Sequence, residues 1–419
     1  MPTDSVVSSP SSLFTGLVGP IIPGFFEVDE LSLLILLCLA TLAVLLILCA
    51  PATRNFFPNV VLLLFFFIGA FGVVTAANVV TFFGAWELCS LFAWGIGQLA
   101  EEERPTEGVV PFQAAGALGS FLMLIALTFL VVRRHSLVLG PVGTVDLGPV
   151  PLILLLAITL KTYGLLSEGW VLRPEHRFSL TGAALAGAGV LSIGMYPFLR
   201  FFGPILGSTP GWRGPAFWIA AVLTIMAALA ALGETDYRRA LSYGAFSQFW
   251  LLVLVFTIGS PPAMMGTIVG AVADAFAFTG LFLCLSAAEE ATAQVLLRRV
   301  GGLAQRLPLT ATLFVVCSVS ILGLPPLAGF IVDGLIGVAA AGSRVLPIIW
   351  MIIVGLTLAY LVRLFVALFL GELRGPVRAE RRWPLVLMSG GIAATLVLLG
   401  LSGTELLALL EPVVRVLPG

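Results

Sequence analysis

Long apolar segments separated by short polar connections follow one another along most of the chain. Many of these segments approach the roughly 20 residues that a helix needs to cross a bilayer. A helix also satisfies its own backbone hydrogen bonds, which makes it the default structure in lipid. The pattern therefore predicts about 12 to 13 transmembrane helices. The apolar runs lie at about 31–50, 58–77, 78–98, 112–132, 149–165, 180–202, 214–233, 240–258, 264–286, 309–324, 328–341, 345–370 and 384–402.

The composition identifies lipid as the solvent of these segments. Hydrophobic residues make up 59% of the 419 residues and charged residues only 10%, whereas charged residues alone supply roughly 25% of an ordinary soluble chain. The sequence lacks the short alternating segments of an outer-membrane barrel. The net charge of −1 gives no indication of nucleic-acid binding. We expect an all-α integral membrane protein whose partner is the lipid bilayer.

The chain divides into three regions by composition. Residues 1–30 are rich in Ser, Pro and Gly and predict a loop or an interfacial segment. Residues 31–402 predict a single transmembrane helical domain, in which the run at 149–165 is short enough to be half of a broken helix. Residues 403–419 carry Glu405 and Glu411 among leucines, which is typical of an amphipathic segment on the membrane surface.

The polar connections are too short for a soluble catalytic domain. They contain no glycine-rich phosphate loop, nucleophile elbow or ATPase motif, so we expect no cofactor and no catalytic site within this chain. The two histidines and five cysteines lack metal-ligand spacing, and the cysteines lie in apolar runs as small buried residues. We also expect no signal peptide. Energy for any transport must then come from an ion gradient or from partner subunits.

Four ionisable residues interrupt the apolar runs: Glu87, Lys161, Asp274 and Asp333. Such a residue costs about 2.5–3.5 kcal/mol on insertion scales and usually faces the bundle interior. Lys161 is the only lysine, and a buried lysine loses its proton readily unless a carboxylate stabilises the charged form. Glu87 and Lys161 are therefore a candidate proton switch. The alternatives are a structural carboxylate and a lysine that snorkels to the interface.

The two aspartates have different surroundings in the sequence. Asp274 lies within the apolar stretch GTIVGAVADAFAFTGLFLCL, so it must be protonated, paired or wet. Asp333 follows GLPPLAGFIV, where two prolines break the helix and leave backbone groups that can host ions or water. For both residues the alternative is a neutral carboxyl that only forms hydrogen bonds.

Several stretches resemble the antiporter-like membrane subunits of respiratory complex I, Mrp-type sodium/proton antiporters and membrane-bound hydrogenases. The segment NVVTFFGAWELCSLFAWGIG resembles the helix with the family's essential glutamate, at Glu87, and LKTYGLLSEGW resembles the lysine helix, at Lys161. ETDYRRALSYGAFSQFWLLV and GGLAQRLPLTATLFVVCSVSILGLPPLAGFIVD resemble two further family segments. The similarity covers residues 28–370 and implies two inverted five-helix repeats, each with a broken helix.

The chain departs from the family pattern in its central part. Glu168 replaces the family's histidine after the lysine, and Ala186 takes a second histidine position. Asp274 stands where a third histidine is usual, and Phe278 stands at the central lysine. Asp333 occupies the terminal lysine or glutamate position, and we expect a shortened, divergent member that lacks the first helix.

The resemblance implies a membrane subunit of a redox-driven or antiporter-like complex in the cytoplasmic (inner) membrane. Its partners would be other membrane subunits, including homologues of itself. It would conduct protons or sodium ions through the charged residues Glu87, Lys161, Glu168, Asp274 and Asp333. A scaffold subunit without a conducting path and a free-standing solute permease are the alternatives. The loss of basic groups at Ala186 and Phe278 leaves the conducting and scaffold interpretations open.

Overall fold

The structure is a computed structural model that describes residues 19–49, 56–99, 109–139, 148–166, 184–208, 210–294, 296–374 and 383–416. Two short strands precede the helices, β1 (Gly19–Ile22) and β2 (Phe26–Val28). They form an antiparallel hairpin, which the composition of residues 1–30 did not predict. The hairpin lies against the start of the bundle, because Phe26 pairs with Ala76 in an isolated bridge.

Helices make up nearly all of the remaining described chain. Of the thirteen apolar runs predicted from the sequence, twelve overlap one α-helix each, and the described part of the run at 180–202 is π-helix (Leu185–Met195 and Phe198–Phe202). The helical membrane fold is therefore confirmed. The α-helices are α1 (Glu30–Cys49), α2 (Phe56–Thr75), α3 (Val79–Leu99), α4 (Val109–Arg134), α5 (Val150–Leu166), α6 (Gly203–Ser208), α7 (Arg213–Gly233), α8 (Tyr237–Phe256), α9 (Pro261–Thr292), α10 (Pro308–Ile321), α11 (Ala328–Ala340), α12 (Leu346–Phe369), α13 (Trp383–Leu401) and α14 (Gly403–Val416). Single 3₁₀ turns lie at Pro210–Trp212, Leu297–Arg299 and Leu303–Gln305.

Within the described residues, seven helices are long and apolar enough to cross a membrane, or eight if a bent pair counts as one span. The bent pair joins α13 to α14 at an angle of 73°. Five further apolar helices are shorter, and they complete the set that the sequence predicts. They are Val60–Thr75, Val79–Gly95, Val150–Leu166, Pro308–Ile321 and Ala328–Ala340. The arrangement of these helices as two inverted repeats stays a prediction.

The centre of the bundle is formed by α9. In its most apolar 18-residue stretch, 94% of the residues are buried inside the protein. In the corresponding stretch of α4, within Ala114–Arg134, only 28% are buried. It contacts α8, α10, α11, α13 and the segment before α6. Since α9 carries Asp274, the fold places that carboxylate among protein and not against lipid.

The segment between α5 and α6 is wound more widely than an α-helix. Residues Leu185–Met195 and Phe198–Phe202 form π-helix, and the backbone N–H of Tyr196 donates to the carbonyl of Leu191, five residues earlier. We call Leu185–Phe202 the π-segment. Such winding is rare and occurs mostly as single turns, often at functional sites. The sequence predicted an ordinary helix over 180–202, so the length of the π-segment is a new finding.

Glycine lets the π-segment approach α9 closely. A β-carbon at Gly187 would collide with the Thr279 hydroxyl and with the carbonyl of Ala275. The central helix and the π-segment therefore pack backbone to backbone at this level. The contact fixes the spacing around Asp274, which lies one residue before Ala275.

Candidate ion site

Glu87 and Lys161 meet inside the bundle as a direct ion pair. Glu87 lies on α3 and Lys161 on α5, and Nζ of Lys161 is 3.0 Å from Oε1 of Glu87. The contact predicted from the insertion cost of each charge is thus confirmed. The side chain of Lys161 is only 6% exposed, whereas that of Glu87 retains 37% of its surface. The lysine is the internal member of the pair, and snorkelling of Lys161 to the interface is excluded.

Further groups hold the amine of Lys161 in place. It donates a hydrogen bond to the hydroxyl of Ser120 on α4, and it lies 4.6 Å from the centroid of the Trp86 ring. The indole N–H of Trp86 in turn donates to the carbonyl of Ile193 in the π-segment, at 3.0 Å. A carboxylate, a hydroxyl and an aromatic face all stabilise a cation. The site therefore suits a charged amine that can exchange partners.

A helix break lies on the opposite side of α9. Helix α10 ends at Ile321 and α11 begins at Ala328, with Pro325 and Pro326 between them. The sequence predicted this break from the two prolines. Asp333 on α11 folds back onto it, since a β-carbon at Gly323 would collide with Oδ2 of Asp333.

Asp274 and Asp333 line one cavity between α9 and this break. The cavity offers about 30 Å³ to the centres of water molecules, which is room for about two of them. Among the residues that the structure describes, no basic side chain lines it. The other polar side chains on its wall are Gln248, Ser320, Trp350 and Thr357. Both carboxylates therefore face the interior, as the sequence predicted for Asp274.

The comparisons with known proteins agree with this architecture. Residues 76–360 match the protein family described as NADH:quinone oxidoreductase/Mrp antiporter, TM, which is well over half of the chain. The chain belongs to this family. The match includes the glutamate helix, the lysine helix and the break before Asp333, so the antiporter-like resemblance inferred from the motifs is confirmed.

Individual members of the antiporter-like family are 24–30% identical to this chain over the aligned stretches. F(420)H(2) dehydrogenase subunit N of Methanosarcina mazei is 26% identical over 72% of the chain and 66% of its own length. A subunit of the Na(+)/H(+) antiporter of Alkalihalophilus pseudofirmus is 30% identical over 45% of the chain and 39% of its own length. The chain thus spans less than two thirds of these relatives.

A solved structure supports the fold independently. The Mrp complex of Dietzia sp. contains a chain that superimposes with a TM-score of 0.81, covering 93% of this chain and 85% of that one at 19% identity. At this identity the likeness establishes the fold alone. Together with the apolar helices, it makes the protein a multi-pass integral membrane protein.

Three of the departures from the antiporter-like family fall into one place in the structure. Ala186, Phe278 and Asp274 line a second cavity, which lies between the π-segment and α9. Apart from Asp274 its wall is apolar and includes Leu191, Phe249 and other hydrophobic side chains. The relay positions named from the sequence are therefore neighbours.

Two expectations fall outside the described residues. Glu168 lies among residues 167–183, so its position relative to Lys161 stays a prediction. The helix break expected next to Lys161 falls in the same range, since the described part of α5 ends at Leu166, five residues after the lysine. No group of three or more His, Cys, Asp or Glu side chains comes together to hold a metal ion among the residues that the structure does describe.

A buried charge cluster lies at the end of α9 and was missed in the sequence. Arg238 is fully buried, with its guanidinium 3.4 Å from Asp236 and 3.6 Å from Glu289. Asp236 also caps α8 through the backbone N–H of Arg238. In the sequence, Arg238 belongs to a polar connection with other loop arginines. The only available signal was its place in the segment Asp236-Tyr237-Arg238. That segment begins with a residue suited to cap a helix, and it resembles a family motif.

A second unpredicted ion pair joins the first helix to the π-segment. The guanidinium of Arg200 donates to Asp29, and the backbone N–H of Ser32 donates to the same carboxylate at 2.7 Å. Burial raises the pKa of Asp29, but Arg200 and the Ser32 hydrogen bonds outweigh this effect and hold the pKa below its ordinary value. The pair ties the β1–β2 hairpin end of α1 to the centre of the bundle.

Proposed function

We propose that this chain is an ion-translocating membrane subunit of a redox-driven or antiporter-like complex. Glu87 and Lys161 form the switch on one side, and Asp274 and Asp333 form the carboxylate site on the other. Glu168, which lies outside the described residues, is an additional candidate from the sequence. The observation that carries the proposal is the 3.0 Å contact between Nζ of Lys161, which is nearly inaccessible, and the carboxylate of Glu87.

The chemistry of this pair explains why it suits translocation. In a low-dielectric interior burial disfavours the charged form of an amine, and a neighbouring carboxylate favours it. Separating Glu87 from Lys161 therefore lowers the proton affinity of the lysine, and bringing them together raises it. A movement of α3 relative to α5 would convert into proton uptake and release.

The same family membership supports our proposal for the partners and the membrane. The solved relative comes from an Mrp complex, and another relative is named as a subunit of a dehydrogenase. We infer that this chain also works among other membrane subunits, including homologues, in the cytoplasmic membrane. The ion is a proton or sodium.

One observation favours the scaffold alternative. Beside Asp274, the second cavity is lined by apolar side chains such as Phe249 and Phe278. Protons do not cross hydrocarbon without water or titratable groups. A subunit that retained its buried charged residues only for stability would show the same apolar cavity.

The experiment that separates these functions uses the complex purified from its native membrane through a tag on this chain. The complex is reconstituted into liposomes, and the ion gradient is measured for the wild type and for Lys161→Met. We expect the gradient to fall at least about tenfold, a change of roughly 1.4 kcal/mol, while mass spectrometry finds the same subunits. Arg306→Met, at an exposed position, is the control. Unchanged translocation with Lys161→Met would leave the scaffold function as the better one.

A further inference from the structure

We propose that the cavity between Asp274 and Asp333 binds a sodium ion. The inference rests on the proposed function and deepens it by naming the ion at one site. The cavity walls come from α8, α9, α10, α11 and α12, so the site would be enclosed by five helices. The lining residues supply oxygen ligands of four chemical kinds.

The two carboxylates cannot both stay charged without a partner. Asp274 and Asp333 face the same small cavity, and no basic residue lies on the part of its wall that the structure describes. Two negative charges at close range in a low-dielectric interior repel strongly. Either protons or a bound cation must offset them, and the remaining lining groups decide between these two.

A serine hydroxyl in the wall has no partner of its own. Ser320 is 1% exposed, and its Oγ forms no hydrogen bond with the residues that the structure describes. Buried polar groups are nearly always satisfied, so an unpaired one that lines a cavity is placed to meet a ligand or water there. Because Ser320 lines the cavity with both aspartates, its oxygen is placed to coordinate the same ion.

Gln248 adds an amide oxygen from α8. Its Nε2 donates to the hydroxyl of Thr357 at 3.1 Å, which fixes the orientation of the amide. With the nitrogen engaged, Oε1 is the atom left to bind a cation. Thr357 also lines the cavity, so the ligands on this side are held by a hydrogen bond before any ion arrives.

The helix break supplies backbone carbonyls. In a continuous helix the carbonyls of Ile321 and Leu322 would accept hydrogen bonds from residues 325 and 326. Both of those residues are prolines and have no N–H to donate. Ile321 and Leu322 line the cavity, and they lie at the negative end of the α10 dipole. Unwound carbonyls and helix C-terminal ends are the groups that coordinate sodium in membrane transporters.

A monovalent ion fits the proposed path better than a divalent one. Conduction requires binding that is weak enough for the ion to leave. Two carboxylates would hold a divalent ion far more tightly than a monovalent one. Magnesium also keeps several waters, and the cavity, with about 30 Å³ for water centres, holds about two.

The test compares two serines of the same helix. Ser318 and Ser320 are both buried on α10 with hydroxyls that lack hydrogen-bond partners in the described structure, but only Ser320 lines the cavity. The full chain is purified in its complex and placed in lipid nanodiscs. Binding of radioactive sodium and the melting temperature are measured in sodium chloride against choline chloride, potassium chloride and calcium chloride at equal ionic strength.

We expect saturable sodium binding and a sodium-specific rise in melting temperature for the wild type. Ser320→Ala removes one coordinating oxygen and should weaken the binding of sodium about tenfold, which corresponds to roughly 1.4 kcal/mol. Ser318→Ala should leave the sodium affinity unchanged. Asp274→Asn should abolish the response to sodium.

Three results would overturn the proposal: an equal response to potassium or choline, tighter binding of calcium, or equal effects of the two serine variants. If sodium has no effect while Lys161-dependent proton translocation persists, this inference fails and the proposed function stands. If sodium binds as expected but the reconstituted complex translocates no ion, the site is supported and the proposed function fails.

Discussion

Nζ of Lys161 lies 3.0 Å from Oε1 of Glu87, although 74 positions separate the two residues in the chain. The pair joins α3 to α5, which do not follow one another in sequence. Its members differ in exposure, because Lys161 is enclosed and Glu87 retains an accessible edge. A perturbation that reaches Glu87 from outside the described bundle is therefore felt directly by the enclosed amine.

Removing one member of this pair should destabilise the protein more than removing both. Lys161→Met leaves a partly buried carboxylate without its cation, and Glu87→Gln leaves an enclosed amine without its anion. Each single change should cost about 1.5–3 kcal/mol, the range for a hydrogen bond to a charged group. Thermal unfolding of the two single variants and the double variant in detergent gives the coupling. Additive losses would mean that the contact contributes nothing to stability.

Loss of the buried arginine at the end of α9 should be among the most damaging changes in the chain. Arg238→Ala leaves Asp236 and Glu289 enclosed without their cation, which should cost about 3–5 kcal/mol. The exposed Arg299 serves as the control, since Arg299→Ala removes the same charge from a nearby surface. The two melting temperatures are compared by scanning fluorimetry. Similar values would show that the cluster is not a stability element.

A methyl group at Gly187 should loosen the centre of the bundle. It would meet the Thr279 hydroxyl and the Ala275 carbonyl, so Gly187→Ala must push the π-segment away from α9. Overpacking of this kind costs about 1–3 kcal/mol, which the melting temperature in detergent would register. Gly334→Ala on α11 is the matched control, because nothing lies within 4 Å of its added carbon. There the substitution should be neutral or stabilising, as alanine is the better helix former.

The Asp29–Arg200 pair should stabilise the protein at neutral pH and lose its effect in acid. The pKa of Asp29 in the folded chain lies below the ordinary value of 3.8. Its contribution is therefore complete above pH 3.8 and disappears as the pH falls through the lower folded value. The difference in melting temperature between the wild type and Asp29→Asn should shrink over that acidic range. A difference in melting temperature that stays constant down to the most acidic pH would contradict this prediction.

The sequence was sufficient for those features that follow from the cost of a charge in lipid. Glu87 and Lys161 each lie within an apolar run, and pairing is the simplest way to offset both costs. The same reasoning predicted that Asp274 faces the interior, and the structure confirms it. The break before Asp333 was equally accessible, because proline acts through its own chemistry and not through distant neighbours.

The remaining features depend on packing between distant segments. Arg238 sits among polar residues in the sequence, and nothing local shows that Glu289 folds over it. The π-segment contains three glycines and Pro197, which weaken a helix without predicting its winding. The wide winding accompanies the close approach of Gly187 to α9. The replacement of the family's lysine by Phe278 already indicated an apolar environment there. That Asp274 lines this apolar cavity and a separate polar one follows only from the packing of the helices.

The central helix also has a mechanical consequence. α9 runs for 32 residues without a break, and Asp274 and Glu289 lie about 22 Å apart along it at roughly 1.5 Å per residue. A continuous helix transmits axial displacement as a stiff rod. Any shift of α9 produced by charging or neutralising Asp274 therefore arrives at the Arg238 cluster near the helix end. The cavity at Asp274 and the Arg238 cluster are therefore mechanically coupled through one helix.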